Sequence, residues 1–181
     1  MDPLTTVLRA AERASHWHQA QRRKGAAREP YVNHLLEVAR LAAEATAGKD
    51  PELVVAALLH DAIEDQEISA AAIAQEFGEG VAALVQEVTD DKSLPKQERK
   101  RLQIEHAPEK SPHAALLKLA DKTSNLQALA VSPPADWNGA RRREYVAWAR
   151  AVVAGLRVEN PWLSARFAEV ADAAERAAGR D

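Results

Sequence analysis

The 181-residue chain carries 24 Lys and Arg against 27 Asp and Glu, a formal net charge of −3, and no cysteine. The missing cysteines exclude disulfides and thiolate metal sites, and a net acidic chain is no binder of nucleic-acid polymers by bulk charge. At this length one domain with a real hydrophobic core is the simplest expectation.

The start, Met1-Asp2-Pro3-Leu4, has no basic segment followed by an apolar one. A secretory leader is therefore not expected. The longest apolar runs are about seven residues, against the ~20 that a spanning helix needs. No membrane partner is expected, and the expected location is cytoplasmic. Alanine, leucine, glutamate and arginine dominate, glycine is scarce, and apolar positions recur every three or four residues. That pattern predicts an all-α fold of roughly nine helices, without a strand.

In chain order the helices are predicted at 4–23, 31–46, 51–63, 69–76, 79–89, 96–106, 112–131, 137–156 and 161–177. Pro30 precedes the second, and Gly48-Lys49-Asp50-Pro51 separates it from the third, with Asp50 as N-cap and Pro51 at the first helical position. Ser69 caps the fourth, and Gly78 and Gly80 are expected to break the chain before the fifth. Ser111-Pro112 repeats the cap-then-proline signal, Ser132-Pro133-Pro134 ends the seventh helix, and Asn160-Pro161 opens the last. The chain is predicted to be a single domain over 1–181, with a frayed tail after about 177.

The third predicted helix carries the main chemical signal. Its apolar run, Leu53 to Leu59, ends in His60-Asp61-Ala62-Ile63-Glu64-Asp65. Four ionisable side chains at the end of a buried helix need compensation, because unpaired buried charge is strongly penalised. A divalent cation provides it, and His with Asp are suitable ligands. His34, after Tyr31-Val32-Asn33, and Asp121, inside Leu116-Leu117-Lys118-Leu119-Ala120-Asp121, sit at similar boundaries between polar and apolar sequence. Two imidazoles and two carboxylates suit Mn²⁺, Fe²⁺, Co²⁺ or Zn²⁺ better than Mg²⁺ or Ca²⁺. Four protein ligands leave positions on a six-coordinate ion for water and substrate, as a hydrolase requires. The other histidines, His16, His18, His106 and His113, read as surface or satisfied core residues.

Together these segments resemble the HD superfamily of metal-dependent phosphohydrolases, and within it the hydrolase branch of the RelA/SpoT homologues. Stand-alone small alarmone hydrolases, including the animal type, are the most similar members. The resemblance runs from about Ala11 to Leu163. It rests on Gln21-Arg22-Arg23-Lys24-Gly25 with Pro30-Tyr31-Val32-Asn33-His34, on the His60–Asp65 segment, and on Thr89 to Arg101. Lys118-Leu119-Ala120-Asp121-Lys122 with Asn125-Leu126, and Trp137, Arg141, Glu144-Tyr145 and Trp148, complete it. The chain departs at Gln127 and Ala128, where the family usually has Arg and many long forms have Thr. That departure bears on substrate preference. With no synthetase segment after the hydrolase motifs, hydrolysis is expected to stand alone.

The resemblance implies hydrolysis of the 3′-pyrophosphate of ppGpp or pppGpp to GDP or GTP, ending a stringent-response signal. It implies one Mn²⁺ held by His34, His60, Asp61 and Asp121, with Glu64 and Asp65 as the catalytic pair that orients or deprotonates water. Arg23 and Lys24 match the family's first basic pair. Lys96, Arg141 and Tyr145 fall where animal-type enzymes meet phosphates, and Asn125 is placed to bond the ribose or 3′ group. Arginine suits bidentate phosphate recognition, and lysine acts as a point charge. The alternatives are an HD phosphohydrolase acting on (p)ppApp or NADPH, and a non-catalytic alarmone sensor. The expected partner is a small nucleotide, and the expected assembly a monomer or homodimer.

Overall fold

The computed structural model describes residues 2–179. Among them are ten α-helices, one 3-10 turn and no extended strand. The helices are α1 (Pro3–Trp17), α2 (Val32–Ala45), α3 (Pro51–Leu59), α4 (Ala62–Gln66), α5 (Ala70–Phe77), α6 (Glu79–Val88), α7 (Lys96–Glu105), α8 (Pro112–Val131), α9 (Gly139–Gly155) and α10 (Pro161–Ala178). The 3-10 turn, Ala107–Glu109, lies between α7 and α8. No helix among the described residues is long and apolar enough to cross a membrane.

The cap-then-proline signals operate as read. Asp50 accepts from the Leu53 amide at 2.9 Å, Ser111 from Ala114 at 3.3 Å, and Asn160 from Leu163 at 2.9 Å, each with proline at the start of the helix. Asp2 with Pro3 does the same for α1, accepting from Thr5 at 3.0 Å. Each cap satisfies one amide that the first turn leaves without an intrahelical partner, typically worth about 1 kcal/mol. Ser69 caps α5 through the Ala72 amide at 3.2 Å. Gly78, at φ 98°, then takes a backbone conformation closed to most side chains and turns the chain into α6.

Two predicted helices end early. The first stops at Trp17 rather than 23. The side chains of His18 and Gln21 instead bond each other, and the Tyr31 amide donates to the Gln21 carbonyl at 3.1 Å. This tertiary pairing overrides local helix propensity. The third stops at Leu59, and Asp61 (φ −99°, ψ 2°) leaves helical geometry before the five-residue α4 begins. The predicted continuous helix to 63 is thus two helices. Every residue from Leu53 to Leu59 is buried, while Asp61, Glu64 and Asp65 are only half-buried, so the apolar drive for one straight helix ends where the charges begin. The last helix continues to Ala178, and positions 180–181 of the expected frayed tail lie outside the described residues.

The described residues of Met1–Gln21 and Pro30–Arg99 form one compact unit. At its centre α3 packs against α1, α2 and α6, so its Leu53–Leu59 stretch is buried all round. The described residues of Arg22–Glu29 and Lys100–Asp181 form a second compact unit. There α8 is the central element, packed against α10 and α9. It buries Leu117, Leu119, Ala120 and Leu126 together with the polar run Asp121-Lys122-Thr123-Ser124. Phe167 of α10 packs inside this unit, whereas Trp162 is 46% exposed.

Candidate active site

Within the first unit, the last residue of the α3 turn and the first turn of α2 bring His60 and His34 together. Both imidazoles are buried, their rings meet edge to face at 5.2 Å, and each offers a nitrogen within 4.8 Å of the other. Asp61 Oδ2 lies 3.2 Å from His60 Nε2 and 3.7 Å from His34 Nε2. Tyr31 donates its hydroxyl to the same oxygen at 2.6 Å.

The donor set fits a cation. His60 Nδ1 lies 2.8 Å from the Ala57 carbonyl, which only accepts, so Nδ1 carries a proton and the neutral ring presents its lone pair at Nε2. That lone pair faces a carboxylate oxygen at 3.2 Å. Two acceptors held at that distance repel unless positive charge lies with them. Fixing one ring nitrogen on a backbone carbonyl is also how metal-ligating histidines are commonly oriented.

The short α4 presents Glu64 and Asp65. Glu64 accepts from Arg99 at 3.3 Å and from the Asp90 amide at 3.4 Å. Burial nevertheless pushes its carboxyl above the usual carboxylate range, and the charges of Asp90, Asp61 and Asp65 push the same way. Asp65 is held from both sides, by Lys92 at 2.5 Å on Oδ1 and by the Gln21 amide at 2.8 Å on Oδ2. Lys96, at the first residue of α7, is exposed.

The second unit holds the remaining predicted residues. Asp121 is buried on α8; its Oδ1 accepts from Asn125 at 2.6 Å and its Oδ2 from Lys122 at 3.0 Å. Arg23 reaches Asn125 Oδ1 at 3.2 Å and Ser124 at 3.5 Å. With its oxygen turned to Arg23, the Asn125 amide must present its nitrogen to Asp121. Lys122 lies 4.7 Å over the Trp148 ring, and Lys100 lies 5.0 Å over it, a favourable setting for ammonium groups. Tyr145 stacks obliquely between Trp137 and Trp148. Burial raises its phenol, Lys122 and Arg23 oppose that rise, and Asp121 reinforces it. Arg141 lies 4.6 Å over Trp137 and 3.7 Å from Asp136, half-exposed. Lys24 is exposed. Gln127, one of the two departures, accepts from Arg166 of α10 at 3.2 Å.

Sequence reasoning missed four residues around these groups. Tyr31, Lys92 and Arg99 stand in the sequence only as members of the motif segments, with no role of their own. His18 falls on the core side of the reading as a surface or satisfied core residue, without a role assigned to it: it is 2% exposed and stacked on Tyr31 with ring centroids 5.4 Å apart, while His16, His106 and His113 are exposed. The available signal was the spacing of His18 three residues before Gln21, next to a first motif already singled out.

Residues 10–150 match the model of the HD domain family. A guanosine-3′,5′-bis(diphosphate) 3′-pyrophosphohydrolase of Xenopus tropicalis, MESH1, is 47% identical over 161 residues, covering 89% of this chain and 90% of the relative. The human protein of the same name is 47% identical over 154 residues, covering 85% and 86%. A solved metazoan orthologue of SpoT, described as hydrolysing ppGpp and acting in starvation responses, superposes with a TM-score of 0.87 at 44% identity, covering 91% of this chain and 93% of its own. The family match takes in the buried histidines, the Asp61 they face and the α8 aspartate alike, and the chain belongs to the HD domain family.

Proposed function

We propose that this chain removes pyrophosphate from the 3′ position of (p)ppGpp, giving GDP or GTP. The observation that carries this reading is the likeness, along nearly the whole of both chains, to 3′-pyrophosphohydrolases of guanosine bis(diphosphate). The cluster of His34, His60 and Asp61 supplies chemistry suited to it. The chain acts as one hydrolase domain over 1–181, in the cytoplasm, as a monomer or homodimer, and by this activity ends a stringent-response signal.

In this reading His34, His60, Asp61 and Asp121 hold one Mn²⁺, with Fe²⁺, Co²⁺ or Zn²⁺ as possible replacements by donor type. When bound, a divalent ion supplies charge that polarises a phosphate oxygen and acidifies water. Glu64 accepts the proton of the attacking water. Asp65, fixed by Lys92 and Gln21, orients that water. Arg23, Lys24, Lys96 and Arg141 meet the phosphates, Tyr145 and Asn125 bond the nucleotide, and the 3′ oxygen leaves with a proton as its bond to phosphorus breaks.

The test is direct. Metal-stripped protein reloaded with Mn²⁺ is offered ppGpp, ppApp and NADPH, and phosphorus NMR follows the products. Pyrophosphate and GDP from ppGpp, with the highest kcat/KM of the three, are expected. No product from any of them refutes the enzyme reading, and faster turnover of ppApp or NADPH reassigns the substrate.

A further inference from the structure

We infer that His18 is a positioning residue for the hydrolytic carboxylate Asp65, acting through the side-chain amide of Gln21. The inference rests on the hydrolase reading above, and deepens it.

The wiring follows from which groups can donate. Asp65 Oδ2 receives the Gln21 amide nitrogen at 2.8 Å. A carboxylate accepts, so the nitrogen of the Gln21 amide must face Asp65 and its oxygen must face the other way. That oxygen lies 2.6 Å from His18 Nδ1 and 2.7 Å from Gln66 Nε2. An oxygen and an unprotonated ring nitrogen at 2.6 Å would be two acceptors in collision, so His18 Nδ1 carries the proton and donates. Gln66 Nε2, 3.3 Å from the same ring nitrogen, gives its hydrogen to the Gln21 oxygen.

The converse matters as much. Were His18 in the other tautomer, its Nδ1 lone pair would confront the Gln21 oxygen at 2.6 Å, and a flip that relieved this would turn the oxygen onto the Asp65 carboxylate. The His18 Nδ1 proton and the Gln66 amide hydrogen together keep the Gln21 nitrogen on Asp65. The arrangement also has a cost. With Nδ1 protonated, His18 Nε2 is a buried acceptor, and it has no hydrogen-bond partner among the described residues. A packing role alone would be met by an apolar ring stacked on Tyr31 at the same 5.4 Å. The polar ring is explained by what its other nitrogen does.

Two variants and one spectroscopic measurement test this. His18→Phe keeps an aromatic ring against Tyr31 and removes the donor; Gln21→Met removes the link while leaving His18. Each is expected to lower kcat about 10- to 100-fold with KM changed less than about twofold, the usual scale for a group that orients a catalytic residue. Each, combined with Asp65→Asn, is expected to be no slower than Asp65→Asn alone. Losses that multiply in the double variants, or a wild-type kcat in Gln21→Met, overturn the inference. Independently of activity, two-bond proton–nitrogen correlation in the wild type should show His18 in the Nδ1-protonated tautomer. Finding Nε2 protonated overturns it even if the protein proves to hydrolyse nothing, whereas a silent assay with the expected tautomer refutes only the hydrolase reading.

Discussion

Tyr31→Phe removes the hydroxyl that donates to the proposed ligand Asp61 and keeps the aromatic ring. The Tyr31 hydroxyl donates at 2.6 Å to Asp61 Oδ2, the oxygen that also faces His60 and His34 at 3.2 and 3.7 Å. The Phe ring can keep the stack on His18 and the edge contact with His34, each at 5.4 Å between centroids, so no cavity opens. A hydrogen bond to a charged group contributes about 1.5–3 kcal/mol. If that orientation is part of metal binding, its loss corresponds to about a 10- to 100-fold weaker Kd for Mn²⁺. Calorimetric titration of metal-free wild type and variant reads this directly, and circular dichroism confirms that both are folded. An unchanged Kd would refute the claim that Tyr31 sets the Asp61 carboxylate for an ion.

Further outcomes are specific. In metal-free protein, the raised Glu64 carboxyl makes the folded state bind more protons than the unfolded chain between the ordinary value of 4.5 and the folded one. Its stabilising contribution is therefore complete below the unfolded value and lost as pH rises through the folded one. Glu64→Gln should gain Tm relative to wild type as pH rises through that window, and a constant difference would contradict the shift. Gly25→Ala places a Cβ 2.3 Å from the Ser132 carbonyl oxygen, so the loop carrying Arg23 and Lys24 must move. A loss of about 1–3 kcal/mol in denaturant unfolding is expected, with a raised KM; wild-type stability would contradict it. Arg141→Ala should raise KM while leaving kcat near wild type, and an unchanged KM removes Arg141 from substrate binding.

The sequence was most legible where local chemistry is self-sufficient. Asp50-Pro51, Ser111-Pro112 and Asn160-Pro161 mark helix starts because an oxygen acceptor and a fixed φ need nothing from the rest of the chain. The His34, His60 and Asp61 cluster was legible because charge at the end of an apolar run demands an explanation. The break at Asp61 and the early end at Trp17 were not. After Trp17 the pairing of Gln21 with Asp65, 44 residues away, takes over from helix propensity, and at Asp61 it is the change from full to partial burial, a property of the fold, that ends the helix. His18 was missed for the same reason. Its partners lie 3, 13, and 48 residues away, at Gln21, Tyr31 and Gln66, and only the fold assembles them.

The measurement closest to the central claim is metal stoichiometry and turnover on one preparation. Stripped protein titrated with Mn²⁺ should bind one ion per chain and regain pyrophosphate release from ppGpp in proportion to the metal bound, and Asp61→Ala should lose both together. Turnover that persists without metal, or in metal-poor Asp61→Ala at a near-normal kcat, would contradict it.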